Sequence, residues 1–244
     1  MCGIVGLFLK DPKLEPKLGA MLTDMLITMT DRGPDSAGIA IYTRPEKGKA
    51  KLTVQSANAA EDFKTLAADL GKAIGATVTM TSKDTHAVLT LPADKIDAAR
   101  AAVREVRPSA RVMSAGEEIE IYKEVGLPKD VARRFDIAHM SGTHGIGHTR
   151  MATESAVTTM GAHPFSTGSD QCLVHNGSLS NHNSVRRVLR EAGMTFETEN
   201  DTEVAAAFIS HKLQAGSKLG EAMEATLTDL DGFFTFVVGT KNGF

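Results

Sequence analysis

Cysteine is nearly absent from this chain: 244 residues hold only Cys2 and Cys172, with no CxxC pair. That excludes a disulfide scaffold or a cysteine-rich metal site and fits a reducing cytoplasm. No apolar run is long enough to span a bilayer, and the first residues show no signal-peptide pattern. The net charge is only −3, so there is no electrostatic footprint for nucleic acid or an anionic membrane surface. The basic pairs Arg133-Arg134 and Arg186-Arg187 read as solvated helix faces. No Walker loop is present, and the glycines of "GTHGIGHT" stand in the wrong order for a dinucleotide fingerprint. No nucleotide-driven chemistry and no cofactor are therefore expected.

What remains is an ordinary globular composition, 42% hydrophobic and 23% charged, long enough for one large domain or a domain with an insertion. "GIVG" reads as a short buried strand. Leu18, Met21, Leu22, Met25, Leu26 and Met29 recur at helical spacing and form one apolar core stripe. "DRGPDSAG" breaks that helix and "GIAIYT" is the next strand. From Arg44 to Ala115 the texture changes. "KAKLTVQSA", "ATVTMTS", "HAVLTL" and "ARVMSA" read as strands, "AEDFKTLAADLG" as a helix ended by its glycine, and "ADKIDAARAAVREVRP" as a helix stopped by Pro108. The order βαββαβ is that of a ferredoxin-like module, expected as an insertion at residues 45–115 in a host of residues 1–44 and 116–244.

The host resumes with the strand "EIEIYKEVG". "THGIGHTRMAT" is a strand entering a loop, and "QCLVHNGSLSN" is a strand followed by an Asn-Gly turn. Three helices follow, and "FFTFVV" reads as a strand buried on both faces. Asn242-Gly243 is a hairpin signal with no strand after it, which leads to the expectation of a truncated C-terminus.

Cys2 directly follows Met1, and two readings compete. Position 2 is usually a frayed end where any small residue is tolerated. Alternatively, removal of Met1 leaves a thiol and an α-amine on one residue, with ordinary pKa values of about 8.5 and about 7.7–8.0, so that one residue supplies nucleophile and base. The other motifs are equally double. "HNG" is a tight turn, or an amide and a glycine N–H aimed at an oxyanion. Asp201 is a helix N-cap, or the anion for a substrate ammonium. Arg150 is a surface group, or a fork for a carboxylate. "RGPDS" is a turn with a solvated arginine. His144 and His148 mimic half a metal site, but the two glycines between them and the lack of further ligands argue against one.

Taken together, Cys2-Gly3-Ile4-Val5-Gly6, "RGPDSAG", "GIGHTRMAT", "HPF", "VHNGSLSN" and "NDTEV" stand in the order found in class II glutamine amidotransferases, and the chain resembles their N-terminal nucleophile glutaminase domains over most of residues 2–44 and 116–240. The resemblance implies an α+β fold, a four-layer αββα sandwich, with the inserted α/β module outside the match. It implies that Cys2 attacks glutamine, forms a γ-glutamyl thioester and releases ammonia. Asn176 and Gly177 would form the oxyanion hole. Arg150 and Thr153 would hold the α-carboxylate, Asp201 the α-amine, and Arg32 would line the pocket mouth. Met151 stands where the family commonly has an aromatic residue, and Glu154-Ser155 where the sugar-amidating branch has His-Gly.

The overall texture is similar to small glutaminase subunits of glutamate-synthase-like enzymes, including N-methylglutamate synthase. That implies an ammonia-accepting synthase partner. Alternatives are an amidophosphoribosyltransferase-like glutaminase domain, a cysteine hydrolase acting on another amide, and a non-catalytic regulatory subunit.

Overall fold

The computed structural model describes residues 2–152 and 156–244. The N-terminal strand β1 (Gly3–Phe8) leads into α1 (Leu18–Thr28) and then β2 (Ser36–Tyr42). The region that follows holds β3 (Lys49–Gln55), α2 (Ala59–Asp62), α3 (Leu66–Ile74), β4 (Thr79–Lys83), β5 (His86–Pro92), α4 (Ile96–Val106) and β6 (Arg111–Gly116). The remainder is β7 (Ile119–Val125), α5 (Pro128–Arg134), β8 (His144–Arg150), β9 (Gln171–Leu179), α6 (His182–Glu191), α7 (Asp201–Gln214), α8 (Leu219–Asp229) and β10 (Gly232–Thr240).

Four layers result. The first sheet has the order β1-β8-β2-β7, all antiparallel, and the second pairs β9 with β10. Strand β2 shows why the layers stack as they do. Its period-2 alternation sends Ala37, Ile39 and Ile41 into a core shared with Leu18, Leu22 and Leu26 of α1. Ala40 and Tyr42 point the other way, into the core between the sheets with Ile146, Cys172 and Val174. The second sheet buries Leu173, Leu179 and Val238 against Val204, Phe208 and Ile209 of α7. A sheet covered on both faces fixes its register, because a one-residue slip would exchange two different apolar sets. The apolar stripe expected for α1 is this core face.

The third sheet has the order β4-β5-β3-β6, fully antiparallel, and keeps its own core around Leu52, Leu66, Leu70, Leu89 and Val103. Counted within this region the strands stand 2-3-1-4, the order of the ferredoxin-like split βαβ unit. The helix expected over "AEDFKTLAADLG" is two helices, and the second runs through Gly71 to a left-handed cap at Gly75 (φ 65°). At the break, Arg107 Nε donates to the Asp62 carbonyl (3.1 Å), and its Nη2 also reaches the Thr65 hydroxyl and Asp69. The strands flanking the region are partners: Tyr42 at the end of β2 lies opposite Ile119 at the start of β7, and Lys51 of β3 opposite Gly116 of β6.

Three other expectations are corrected. "HNG" is no turn, since β9 runs unbroken through Asn176 and Gly177 to Leu179. "FFTFVV" is not buried on both faces: β10 pairs only with β9 among the described residues, and Phe233 is 85% exposed. Arg186 is not on a solvated face; it is buried, and its guanidinium pairs with Glu199 and donates to the Asn200 carbonyl (3.3 Å). Asn242-Gly243 does form a tight turn, closed by mutual Thr240–Gly243 backbone bonds of 2.8 and 3.0 Å. No described helix is long and apolar enough to cross a membrane.

Candidate active site

Cys2, at the head of β1, opens onto a cavity of about 310 Å³. Arg150 and Met151 from the end of β8, His175, Gly177 and Ser178 from β9, and Asn200, Asp201 and Thr202 at the start of α7 also line it. Strand pairing brings the first two elements together, because Gly3 lies opposite Thr149. The Cys2 thiol is half-buried, with its Sγ 4.0 Å from the Met151 carbonyl, so the chain leaving β8 passes beside the nucleophile candidate.

That departing chain is held by the "RGPDS" segment. Asp35 Oδ2 accepts from the Ala152 N–H (2.8 Å), and the Asp35 N–H donates to the Arg150 carbonyl (3.0 Å). Gly33 packs so closely on Thr149 and Arg150 that a Cβ would collide with their main chain. Arg32 is not on the cavity wall among the described residues; its Nε donates to the Cys2 carbonyl (3.3 Å), holding Cys2 from behind. The sequence reading singled out Arg32 in this motif and missed Asp35.

On β9, Gly177 has φ of 142°, which only glycine adopts readily, and a Cβ would strike the Phe233 carbonyl of β10. The glycine is thus required by a strand-to-strand approach beside the cavity. Asn176 is half-buried, opposite Thr235, and stands outside the cavity lining.

Asp201 is not the helix cap. Asn200 takes that place, its side chain accepting from the Thr202 N–H (2.8 Å), and Asp201 is the first residue of α7. The Asp201 carboxylate accepts from the Leu179 N–H (3.0 Å) and lies 3.7 Å from His175 Nδ1. Burial pushes its carboxyl up, but His175, the Leu179 N–H and His182 outweigh burial and leave it below the usual carboxylate range. It therefore carries a full negative charge at neutral pH. Arg150, buried, holds the opposite charge on the same cavity, with one Nη donating to the Ala156 carbonyl (3.4 Å). Thr153 lies outside the described residues, as do Glu154 and Ser155.

Buried His163 and His175 line the cavity, and buried His148 backs them. His148 and His163 stack at 4.2 Å between centroids, and His148 Nε2 donates to the His175 carbonyl (3.0 Å). His163 and His175 both meet the Thr202 hydroxyl, at 2.8 and 3.0 Å. Burial holds His148 down at about 3 and drives His163 well below its ordinary value, so both are neutral. His144 serves elsewhere, stacked on Tyr42 (4.3 Å) and donating to the Thr240 carbonyl (2.8 Å). Among the described residues no cluster of three or more His, Cys, Asp or Glu could hold a metal ion.

Lys123 of β7 was not singled out from the sequence. Its buried ammonium donates to the carbonyls of Met160 (3.2 Å), Ala162 (2.7 Å) and Pro164 (3.2 Å), suspending the segment that carries His163. Burial pulls its pKa down to about 7, with Glu203 opposing. Only a buried lysine over a loop of free carbonyls makes such a grip, and the sequence holds no signal for that juxtaposition.

The cavity thus joins a thiol, a guanidinium and a carboxylate, the complement of an amide-bearing amino acid. Comparison with known proteins agrees. Residues 135–243 match the family model described as a glutamine amidotransferase domain. The chain is 64% identical over its whole length to the glutamine amidotransferase-like protein GlxB of Rhizobium meliloti (strain 1021), covering 81% of that protein. It is 34% identical to a putative glutamine amidotransferase of Methanothermobacter thermautotrophicus, again over all of this chain and 83% of the relative. A glutamine–fructose-6-phosphate aminotransferase of Aliivibrio fischeri matches at 39% identity over 52% of this chain, but only 21% of that enzyme. Among solved structures, the allosteric regulatory enzyme of purine biosynthesis aligns with a TM-score of 0.54 at 20% identity over 98% of this chain, which spans 35% of that one and shows a shared fold. The chain belongs to the class II glutamine amidotransferases. It is an enzyme of that class, built on the N-terminal nucleophile sandwich.

Proposed function

We propose that this chain is the glutaminase subunit of a two-part synthase: it hydrolyses glutamine to glutamate and ammonia at Cys2, and a partner of glutamate-synthase type consumes the ammonia. The observation that carries the reading is the convergence of Cys2, Arg150, Gly177 and Asp201 on one cavity. Arg150 and Asp201 supply opposite charges for the carboxylate and ammonium of an α-amino acid, and Thr153 adds a hydroxyl to the carboxylate end. A substrate amide without a zwitterion has no groups to match this pair of opposite charges.

In this mechanism Met1 is removed and the Cys2 α-amine takes the thiol proton, directly or through water. The sulfur attacks the side-chain carbonyl of glutamine. The tetrahedral oxyanion is held by the Gly177 N–H and the Asn176 amide after its side chain turns toward the cavity. Collapse returns the proton to the departing nitrogen, which leaves as ammonia, and a γ-glutamyl thioester remains. Water hydrolyses the thioester to glutamate and regenerates the thiol. The catalytic unit is residues 1–44 with 116–244, and residues 45–115 are an insertion with a core of their own.

A glutamine-analogue electrophile tests the chemistry. It should add one label, placed on Cys2 by mass spectrometry, in protein whose N-terminus is Cys2. Labelling elsewhere, or full activity in protein retaining Met1, would overturn the mechanism. The partnership is tested separately: addition of the co-purified synthase and its acceptor substrate should raise kcat for glutamine. Equal kcat with and without them would mean a stand-alone glutaminase.

A further inference from the structure

A second cavity, of about 440 Å³, lies where the inserted sheet meets the sandwich. Helix α4 and strand β6 form one wall; the 165–167 and 193–198 segments and Lys123 form the other. Its size is that of a metabolite site. We propose that this cleft binds a small anion, bearing a carboxylate or a phosphate, on the guanidinium of Arg100, and that occupancy alters glutamine binding through residues 197–203. The second half of the proposal rests on the function given above; the first does not.

Most charges lining the cleft are already satisfied within the protein. Lys123 spends its three N–H groups on three carbonyls. Glu203 accepts from the Glu197 N–H (2.8 Å), the Thr198 N–H (2.8 Å) and the Thr198 hydroxyl (2.6 Å). Arg104 pairs with Glu197, and Arg111 reaches the same carboxylate at 3.5 Å while donating to the Pro108 and Ala110 carbonyls. Arg100 differs. It is half-buried on α4, its one hydrogen bond is from Nη2 to the Thr167 carbonyl (3.3 Å), and no carboxylate lies within 4.0 Å of it among the described residues.

A guanidinium has five N–H donors in a planar fork. Among the described residues only one of those on Arg100 meets a protein acceptor, and the group lines an open cavity. Burial pulls its pKa below the ordinary arginine value, with Asp97 at the exposed rim opposing. A cation held half-buried in a cleft gains more from an anion than one on the open surface, because the pair is less screened. Carboxylate and phosphate oxygens match the fork two at a time. Arg104 stands one turn further along the same helix. The Ser166 and Thr167 hydroxyls across the cleft are engaged with the Gly168 carbonyl (3.4 Å) and the Ser210 hydroxyl (2.7 Å), which leaves the two guanidinium groups as the anion's partners.

The coupling follows from a shared wall. Glu197, Thr198 and Glu203 face this cleft, whereas Glu199, Asn200, Asp201 and Thr202 line the cavity at Cys2. The Glu203 carboxylate ties the two halves together by holding the backbone of residues 197 and 198. An anion that competes with Glu197 for Arg104 changes the tension on the run that positions Asp201. Linkage then requires that glutamine change the anion's affinity by the same factor.

Calorimetric titration of the full chain with inorganic phosphate, and separately with succinate, at constant ionic strength tests the site. Saturation at one anion per chain by either is expected, phosphate alone indicating a phosphorylated ligand and succinate alone a carboxylate one. Arg100→Gln, which retains a donor for the Thr167 carbonyl, should weaken binding at least about tenfold, one unit of log affinity. Should that variant lose its fold, Arg100→Lys keeps the charge without the fork and should weaken binding too. No saturation by either anion, or affinity unchanged in the folded variant, would overturn the site. Glutamine KM measured with and without the saturating anion tests the coupling, with a change in KM and constant kcat expected. An unchanged KM would overturn the coupling alone, while absent glutaminase activity would count against the proposed function and leave the calorimetry standing.

Discussion

The chain's two cysteines sit in opposite surroundings. Cys2 is half-buried at the edge of an open cavity, with Arg150 and Asp201 on the same walls. Cys172 is 1% exposed between the two sheets, where the Tyr42 hydroxyl donates to its sulfur at 3.5 Å. Burial pushes that thiol from its ordinary 9.0 up to about 11, outweighing the Tyr42 and Gly239 contacts that pull it down. Thiolate, not thiol, is the nucleophile, so Cys172 is chemically silent at neutral pH and acts as a small apolar filler. One residue type serves reaction or packing according to the polar groups and open space around it.

Replacing each cysteine by alanine separates the two settings most directly. Cys2→Ala should lower glutaminase kcat by more than about 10⁴-fold, the scale of losing a covalent nucleophile, while thermal stability changes little. Steady-state ammonia release and a melting curve measure both. Asn176→Ala leaves the nucleophile in place and should cost about 10²–10³ in kcat, the typical price of one oxyanion donor. If it altered only KM, Asn176 would be a binding group and the Cys2 side of the comparison would need a different oxyanion partner.

Asp201→Asn should raise glutamine KM about 10–100-fold, the worth of one charged hydrogen bond, with kcat nearly retained. The smallest effect belongs to Cys172→Ala, about 1 kcal/mol of stability with activity intact. Its pH dependence sharpens the point. In the native protein Cys172 stays protonated up to about 11, whereas the unfolded chain ionises it near 9.0. Unfolding therefore releases a proton between those values, and stability falls as pH rises through that window. The melting temperatures of the native chain and Cys172→Ala should converge from about pH 9 to 11; parallel curves would show that the thiol is not shielded.

The motifs around Cys2 were legible because each glycine, proline or charged residue has a local reason that sequence order preserves. Gly33 and Gly177 occupy places where a Cβ collides with main chain. The stripe of α1 revealed its core face before any partner was known. What sequence could not reveal depends on contacts between distant segments. "HNG" reads as a turn because Asn-Gly tolerates positive φ, yet here the positive φ serves the approach of β10. Arg186 belongs to a basic pair, and nothing local says that Glu199 and Asn200 will bury it. Asp35 and Lys123 act on backbone groups far away in the chain, Ala152 in one case and Met160, Ala162 and Pro164 in the other. For Asp201 the sequence left a cap and a substrate anion both open, and it is Asn200 that caps the helix.

The pairing of Tyr42 with Ile119 carries a consequence for how such a chain can be assembled and altered. To the sandwich, everything between those residues is the connection of an antiparallel hairpin, one of exceptional length. A flexible connection of that length would cost entropy to close, though the cost grows only with the logarithm of length. Here the connection folds on itself, and its own first and last strands, β3 and β6, are neighbours that hold the two ends side by side. The hairpin is therefore closed from both directions. A short reverse turn grafted between Tyr42 and Ile119 keeps the β2–β7 pairing possible but removes Val88 and Met113 from the sandwich's two cores. A replacement unit therefore needs adjacent ends and apolar groups at those two places.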